Sequence, residues 1–259
     1  MRRNTIARAT RRRHVTRIGN KPATTPYRPR RLSEDKGAIT GMCNRARFAG
    51  EPADLFGSAA KLFPERPRDN RFNPQELRPK GRAYVIRERG GERGWDVMAW
   101  DVLGGQAAWP MTNVRNLKLP QWRKLAADPA NRCLVPLTEF CEWTPDKHDL
   151  GDGKPALKGE MWFSVTDQPT FAVAGFWQQT AEGAGFTMVT CDPNEMVAPI
   201  HPKAMITILR PDDVDTWLRG SYDEIVTLQR PYDAAAMTVR GPVFPTRHDA
   251  SLNHANANM

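Results

Sequence analysis

Short apolar runs alternate with polar, glycine-rich turns through the middle of the chain, and this pattern predicts many short β-strands. Two such runs, at 82–87 and 95–101, flank a glycine-rich turn and predict a β-hairpin. The remaining runs are bounded by Gly, Asp and Pro residues. They predict further strands at 132–137, 140–144, 161–166, 170–177, 186–190 and 204–209.

Helical spacing of apolar residues is confined to a few short segments. We predict helices at 53–63, around Trp122 within 117–127, at 212–219 and at 222–229. Many short strands with a few helices at the margins are typical of an α+β protein. The sequence therefore predicts a single α+β domain built on a curved, barrel-like, mostly antiparallel sheet with a few peripheral helices.

Charge divides the chain at residue 42. Residues 1–42 contain 12 Lys and Arg against 2 Asp and Glu, so the totals of 38 bases and 29 acids leave 26 and 27 for the remainder, a net charge of −1. Three interpretations of this basic leader are open: sequence upstream of a true start at Met42, a transit peptide, or a nucleic-acid-binding arm. We expect a disordered, absent or cleaved leader at 1–42, a folded domain at 43–240 and a loose tail at 241–259.

Composition argues against several protein classes. The four cysteines have no CxxC spacing and no neighbouring histidine pair, which argues against a zinc site and against a disulfide framework. We therefore expect no metal, no cofactor and a reducing, cytoplasmic location. No apolar run approaches the ~20 residues of a bilayer span, so we expect a soluble protein that does not contact membranes. We also expect a monomer.

Cys43 directly follows Met42, and its chemistry depends on where the mature chain begins. If Cys43 were the first residue, its thiol and a free α-amine would lie on adjacent carbons. Such a 1,2-aminothiol attacks an aldehyde to form an imine, and the thiolate then closes the imine to a stable thiazolidine. An α-amine titrates near ~7.7 and a thiol near ~8.5, so both nucleophiles are available near neutral pH. The competing interpretation is a buried structural cysteine behind a chance internal methionine.

Four motifs follow one another along the chain. They are Met42-Cys43-Asn44-Arg45, Asn113-Val114-Arg115, Arg132-Cys133-Leu134-Val135-Pro136 leading into Glu142-Trp143, and His201-Pro202-Lys203-Ala204-Met205. With these motifs in this order, the chain from about Met42 to Val239 resembles the SOS-response-associated peptidase family, whose members crosslink to abasic sites in single-stranded DNA. Asn44 stands where that family has glycine, and the last motif lacks the family's proline.

The resemblance implies a set of catalytic residues. Cys43 corresponds to the crosslinking nucleophile and Asn113 to the residue that contacts the opened sugar. Glu142 corresponds to the catalytic carboxylate and His201 to the catalytic imidazole. These residue types suit the chemistry, since a carboxyl group and an imidazole can move protons while an imine forms and closes.

A second set of residues is expected to bind the DNA strand. The resemblance implies that Arg45 and Arg115 hold the DNA backbone. Lys203 is a further candidate for phosphate contact, because the near-neutral body of the chain requires a local basic groove. Trp109 lies close to Asn113 in the sequence, and an exposed tryptophan there would suit stacking on a base.

We therefore expect an abasic-site sensor that links itself through Cys43 to single-stranded DNA, with lyase activity as a further expectation. One alternative is a thiol peptidase that uses Cys43, His201 and Glu142 mainly on its own N-terminus. Another is a non-enzymatic nucleic-acid binder that works through the basic arm.

Overall fold

A computed structural model describes residues 44–50, 61–62, 73–166 and 168–244, all within one compact unit, Ile39–Met259. Its strands are β1 (Arg45–Arg47), β2 (Lys61–Leu62), β3 (Arg82–Arg89), β4 (Glu92–Ala99), β5 (Asn113–Val114), β6 (Arg132–Leu137), β7 (Glu139–His148), β8 (Leu157–Val165), β9 (Phe171–Thr180), β10 (Gly183–Cys191), β11 (Met205–Ile206), β12 (Ile208–Leu209) and β13 (Met237–Val243). The α-helices in the described part are α1 (Pro120–Ala127), α2 (Val214–Arg219) and α3 (Tyr222–Thr227).

Five strands close into a barrel in the order β4-β3-β6-β9-β10, because β10 pairs with both β9 and β4. The seam between β10 and β4 needs a glycine. A Cβ atom on Gly185 would lie 2.2 Å from the carbonyl oxygen of Asp101, closer than any side chain allows. The barrel and the short helices confirm the predicted α+β class with its curved, mostly antiparallel sheet.

The hairpin of β3 and β4 is longer than the sequence suggested. Its turn consists only of Gly90 and Gly91, whose φ angles of 60° and 81° are those that two-residue hairpin turns require. The residues before and after these glycines therefore continue the ladder beyond the predicted strands at 82–87 and 95–101, as far as the pair Arg89 and Glu92. Helices α1 and α3 and strand β6 agree with the predicted segments.

A second, four-stranded antiparallel sheet has the order β1-β7-β8-β13. Phe140 and Phe163 stack on its inner face with ring centroids 5.1 Å apart, and they share a buried cluster with Val135 of the barrel. Leu134, the residue before Val135 in β6, points to the opposite face of the barrel strands and packs in a second cluster with Trp217 of α2. Because both faces of the barrel strands are buried, their sequences read as unbroken apolar runs.

Three local predictions are corrected by the described residues. The helix expected at 53–63 is wrong at Lys61 and Leu62, which form β2 beside β4, and the rest of that segment lies outside the described residues. The strand expected at 204–209 is two strands, because β11 pairs with β10 and β12 with β9. The tail expected to be loose at 241–259 is ordered at its start, since β13 pairs with β8 as far as Val243.

No helix within the described residues is both long enough and apolar enough to span a bilayer.

Candidate active site

Glu142 and His201 lie side by side at the centre of the candidate site. Glu142 comes from β7, and His201 comes from the segment between β10 and β11. Alternation along the strand places Glu142 on the same inner face as Phe140, and the residue is 1% exposed. The Oε1 atom of Glu142 is 4.0 Å from Nδ1 of His201.

The surroundings of Glu142 and His201 affect the pKa of the carboxyl group and the position of the hydrogen on the imidazole ring. Burial raises the pKa of Glu142 well above its ordinary value, which favours the protonated, neutral form of the carboxyl group. The Nδ1 atom of His201 is 2.6 Å from the carbonyl oxygen of Ala204. A carbonyl oxygen only accepts, so Nδ1 carries a hydrogen, and in the tautomer that this bond selects the lone pair is on Nε2.

Two polar atoms of this pair are buried with no hydrogen-bond partner in the described part of the chain. They are Oε1 of Glu142 and Nε2 of His201. Buried polar atoms are normally hydrogen-bonded, and exceptions occur where a reactant binds. The site therefore offers a proton donor and a proton acceptor next to each other.

Asn113 lies in β5, and Arg115 directly follows that strand. Asn113 is buried opposite Met188 of β10, and its Nδ2 donates to Oγ1 of Thr112 at 3.1 Å. Arg115 donates from Nη1 to the carbonyl oxygens of Cys191 and Lys203, both at 2.6 Å. The segment that carries Asn113 is thus tied to the segment that carries His201.

Arg45 is buried and does not face the solvent. It is 8% exposed, its guanidinium forms ion pairs with Glu76 and Glu160, and it lies opposite Cys141 of β7. A phosphate contact by Arg45 stays a prediction, and it would require the guanidinium to exchange a carboxylate partner. Cys43 lies outside the described residues.

Other predicted DNA contacts are at the surface. Trp109 is 45% exposed, whereas Trp100 is buried and donates to the carbonyl oxygen of Thr112. Lys203 is exposed. The guanidinium of Arg115 is partly exposed and also pairs with Asp192, so part of its charge is neutralised within the protein.

Asp101 organises the loop that leads to Asn113, and sequence reasoning missed it. Its carboxylate accepts hydrogen bonds from the backbone N–H groups of Leu103, Gly105 and Met111, and the residue is 4% exposed. This loop carries Trp109. An aspartate just ahead of a Gly-Gly pair was the available signal, because aspartate side chains often bond to nearby backbone N–H groups in turns.

The cysteines of the described part are poor nucleophiles. Cys133, Cys141 and Cys191 are buried and free. Burial raises the pKa of each of these thiols, to about 11 for Cys191. The described residues also contain no group of three or more His, Cys, Asp or Glu side chains arranged to hold a metal ion.

The closed barrel, the four-stranded sheet and the buried pair of Glu142 and His201 define an α+β protein with an acid–base site. The chain belongs to the SOS response associated peptidase (SRAP) family, whose model matches residues 42–243. This confirms the resemblance seen in the sequence. Membership of the family supports a function related to DNA damage and an association with the SOS response.

Solved structures share the fold. A protein from Bordetella bronchiseptica has a TM-score of 0.58 at 19% identity and covers 76% of this chain and 98% of its own. A phage-related protein from the same organism has a TM-score of 0.57 at 16% identity, covering 79% and 94%. A protein from Bacteroides thetaiotaomicron has a TM-score of 0.52 at 22% identity, covering 66% and 83%. A comparison with curated proteins gives no match.

Proposed function

We propose that the chain is an abasic-site processing protein that links Cys43 covalently to single-stranded DNA. The observation that carries this proposal is the buried acid–base pair, in which Oε1 of Glu142 and Nε2 of His201 have no partner within the described residues. Two such atoms are suited to a reaction that both releases and takes up protons. Membership of the SRAP family supports a function related to DNA damage, with which this proposal agrees.

The proposed nucleophile lies two residues before Arg45 of β1 in the sequence. Arg45 lies opposite Cys141, the residue before Glu142. Successive Cα atoms are 3.8 Å apart, so the Cα atom of Cys43 is at most about 7.6 Å from that of Arg45. The proposal requires the α-amine and thiol of Cys43 to reach the side chain of Glu142 on β7.

The proposed reaction balances without a cofactor. The α-amine nitrogen of Cys43 attacks the aldehyde carbon of the ring-opened sugar and gives a carbinolamine. Glu142, as a neutral acid, protonates the departing hydroxyl, which leaves as water and yields the imine. His201 accepts a proton at Nε2 from the attacking amine or thiol, and the sulfur then adds to the imine carbon while the nitrogen takes a proton. The product is a thiazolidine.

The partner in this proposal is single-stranded DNA, held beside the site by exposed groups. Trp109 would stack on a base, and Lys203 with Arg115 would contact phosphates. Crosslinking should therefore slow markedly between about 50 mM and about 500 mM salt. A rate that does not change over this range would contradict phosphate contacts at this site.

The proposal is tested with a chain that begins at Cys43 and an oligonucleotide with one abasic site. A heat-stable adduct should form on a denaturing gel, and a matched oligonucleotide whose sugar lacks the aldehyde should give none. Glu142→Gln and His201→Ala should each slow adduct formation by about 10² to 10⁴. Cys43→Ser should give an adduct only after borohydride reduction.

Two results would refute the crosslinking proposal. One is a stable adduct formed by protein whose intact mass still includes residues 1–42, because an amide-linked nitrogen at Cys43 cannot form an imine. The other is a stable, unreduced adduct from the Cys43→Ser protein, since no thiazolidine can form without the sulfur.

A second candidate function is a thiol peptidase that cleaves the bond between Met42 and Cys43. The family's peptidase description and the acid–base pair of Glu142 and His201 favour it. Intact mass spectrometry of the full-length chain over time tests this function. Loss of residues 1–42 that stops in His201→Ala would support self-processing, and a constant mass would exclude it.

A further inference from the structure

Asn194 lies in the turn that leads to His201, and every polar atom of its side chain is engaged. Its Oδ1 accepts hydrogen bonds from the backbone N–H groups of Met196 at 3.2 Å and Val197 at 3.0 Å. Its Nδ2 donates to the carbonyl oxygen of Tyr232 at 2.8 Å and is 3.1 Å from the sulfur of Met237. The side chain therefore both caps the turn and fastens it to the segment at the start of β13.

The turn itself delivers His201. The backbone N–H of Ala198 donates to the carbonyl oxygen of Asn194 at 2.8 Å. The N–H groups of Ile200 and His201 donate to the carbonyl oxygen of Val197 at 2.9 and 2.8 Å. Val197 is fully buried in the core between the sheet and the barrel, so the turn cannot shift without disturbing that packing.

We propose that Asn194 is the positioning residue for His201, because its amide holds the turn in the one arrangement that presents the imidazole to Glu142. The amide supplies both the acceptor for the turn, through Oδ1, and the donor for the Tyr232 carbonyl, through Nδ2. Aspartate keeps the acceptor alone, and alanine keeps neither. The role extends the proposed crosslinking function, on which its kinetic consequence rests.

A spectroscopic test uses the full-length chain without DNA. The hydrogen bond from Nδ1 of His201 to Ala204 fixes the ring tautomer, and this tautomer is visible in the imidazole ¹⁵N chemical shifts. The signal is assigned by its loss in His201→Ala. In Asn194→Ala we expect the ¹⁵N chemical shifts of the two ring nitrogens to move toward the averaged values of a free histidine. In Asn194→Asp we expect the same shifts to change in that direction by a smaller amount.

A matched control separates positioning from general loosening. Ser221→Ala removes the capping box of α3, a side-chain cap in a different segment of the chain. It should leave the His201 shifts unchanged. Unchanged shifts in both Asn194 variants, or equal shifts in Ser221→Ala, would overturn the proposal. Should Asn194→Ala fail to fold, Asn194→Asp decides the question alone.

A kinetic cycle tests the consequence for the reaction. Small misplacements of a catalytic group cost up to about a hundredfold in rate, so Asn194→Ala should slow crosslinking about ten- to a hundredfold. In the His201→Ala background the same change should cost less than about twofold, because the residue acts through the imidazole. Equal losses in both backgrounds would contradict the proposed role. Failure of the crosslinking proposal would leave the DNA-free spectroscopic result standing.

Discussion

Replacing Arg132 by lysine should destabilise the fold, because this fully buried guanidinium holds two helices against the barrel. Its Nε donates to the carbonyl oxygen of Ala126 at 2.7 Å, and its Nη2 donates to that of Ala127 at 3.1 Å. Its Nη1 donates to the carbonyl oxygens of Gly220 at 2.6 Å and Trp217 at 3.1 Å. Arg132 therefore satisfies the C-terminal carbonyls of both α1 and α2, which a helix cannot satisfy internally.

The cost follows from the carbonyls that lysine leaves unpaired. An ammonium is a compact point charge and cannot span two helix ends as the planar guanidinium does. Arg132→Lys should therefore lose one or two of the four hydrogen bonds, at about 1 to 3 kcal/mol for each buried acceptor left without a donor. We expect a loss of about 2 to 4 kcal/mol, a large part of the stability of a typical domain.

Urea unfolding followed by tryptophan fluorescence measures this loss as a lower midpoint with an unchanged slope. Arg89→Lys, at the exposed end of β3, is the matched control and should change the free energy of unfolding by less than about 0.5 kcal/mol. A change in Arg132→Lys no larger than that of the control would refute the capping role of Arg132.

Three further predictions concern the site and its surroundings. The raised pKa of Glu142 means that the folded protein holds a proton which the unfolded chain releases above its ordinary pKa of 4.5, so stability falls as pH rises. Glu142→Gln should therefore gain stability relative to the natural protein as pH rises above about 5 in urea titrations, and a difference independent of pH would contradict this. Asp101→Ala should speed elastase cleavage after the exposed Ala107 or Ala108 of this loop, mapped by mass spectrometry, whereas Asp128→Ala, which removes the cap of a different turn, should not. The buried thiols are those of Cys133, Cys141 and Cys191. A thiol reagent added to native protein should label at most one thiol rapidly, and that thiol should disappear in Cys43→Ser; two rapid thiols would show that burial does not protect the others.

The fold class could be predicted because strand formation leaves a local mark. Alternation and short apolar runs identified β6 and the hairpin of β3 and β4. The helix expected at 53–63 is wrong where β2 forms, because a short apolar segment does not by itself distinguish a helix from a strand. The pairing with β4 decided that segment, and pairing is a long-range property.

The site could be predicted only as far as residue types and motif order allow. The sequence identified Glu142 and His201 as partners, and the structure brings them to 4.0 Å. It could not reveal that Asp101 holds the loop before Asn113, because that role depends on backbone groups scattered over ten residues. Nor could it separate a buried Arg45 from an exposed Lys203, since the two differ in packing and not in charge.

The sequence by itself determined the family, the set of candidate reactive groups and the strand-rich class, because motif order and periodicity are written along the chain. Only the tertiary structure decided that β10 closes the barrel by pairing with two strands, that burial raises the pKa of Glu142, and that Arg45 is occupied by carboxylates. Each of these depends on which distant residues surround a group. Burial and pairing fix the energy of a charge or a hydrogen bond, and neither is a property of the residue alone.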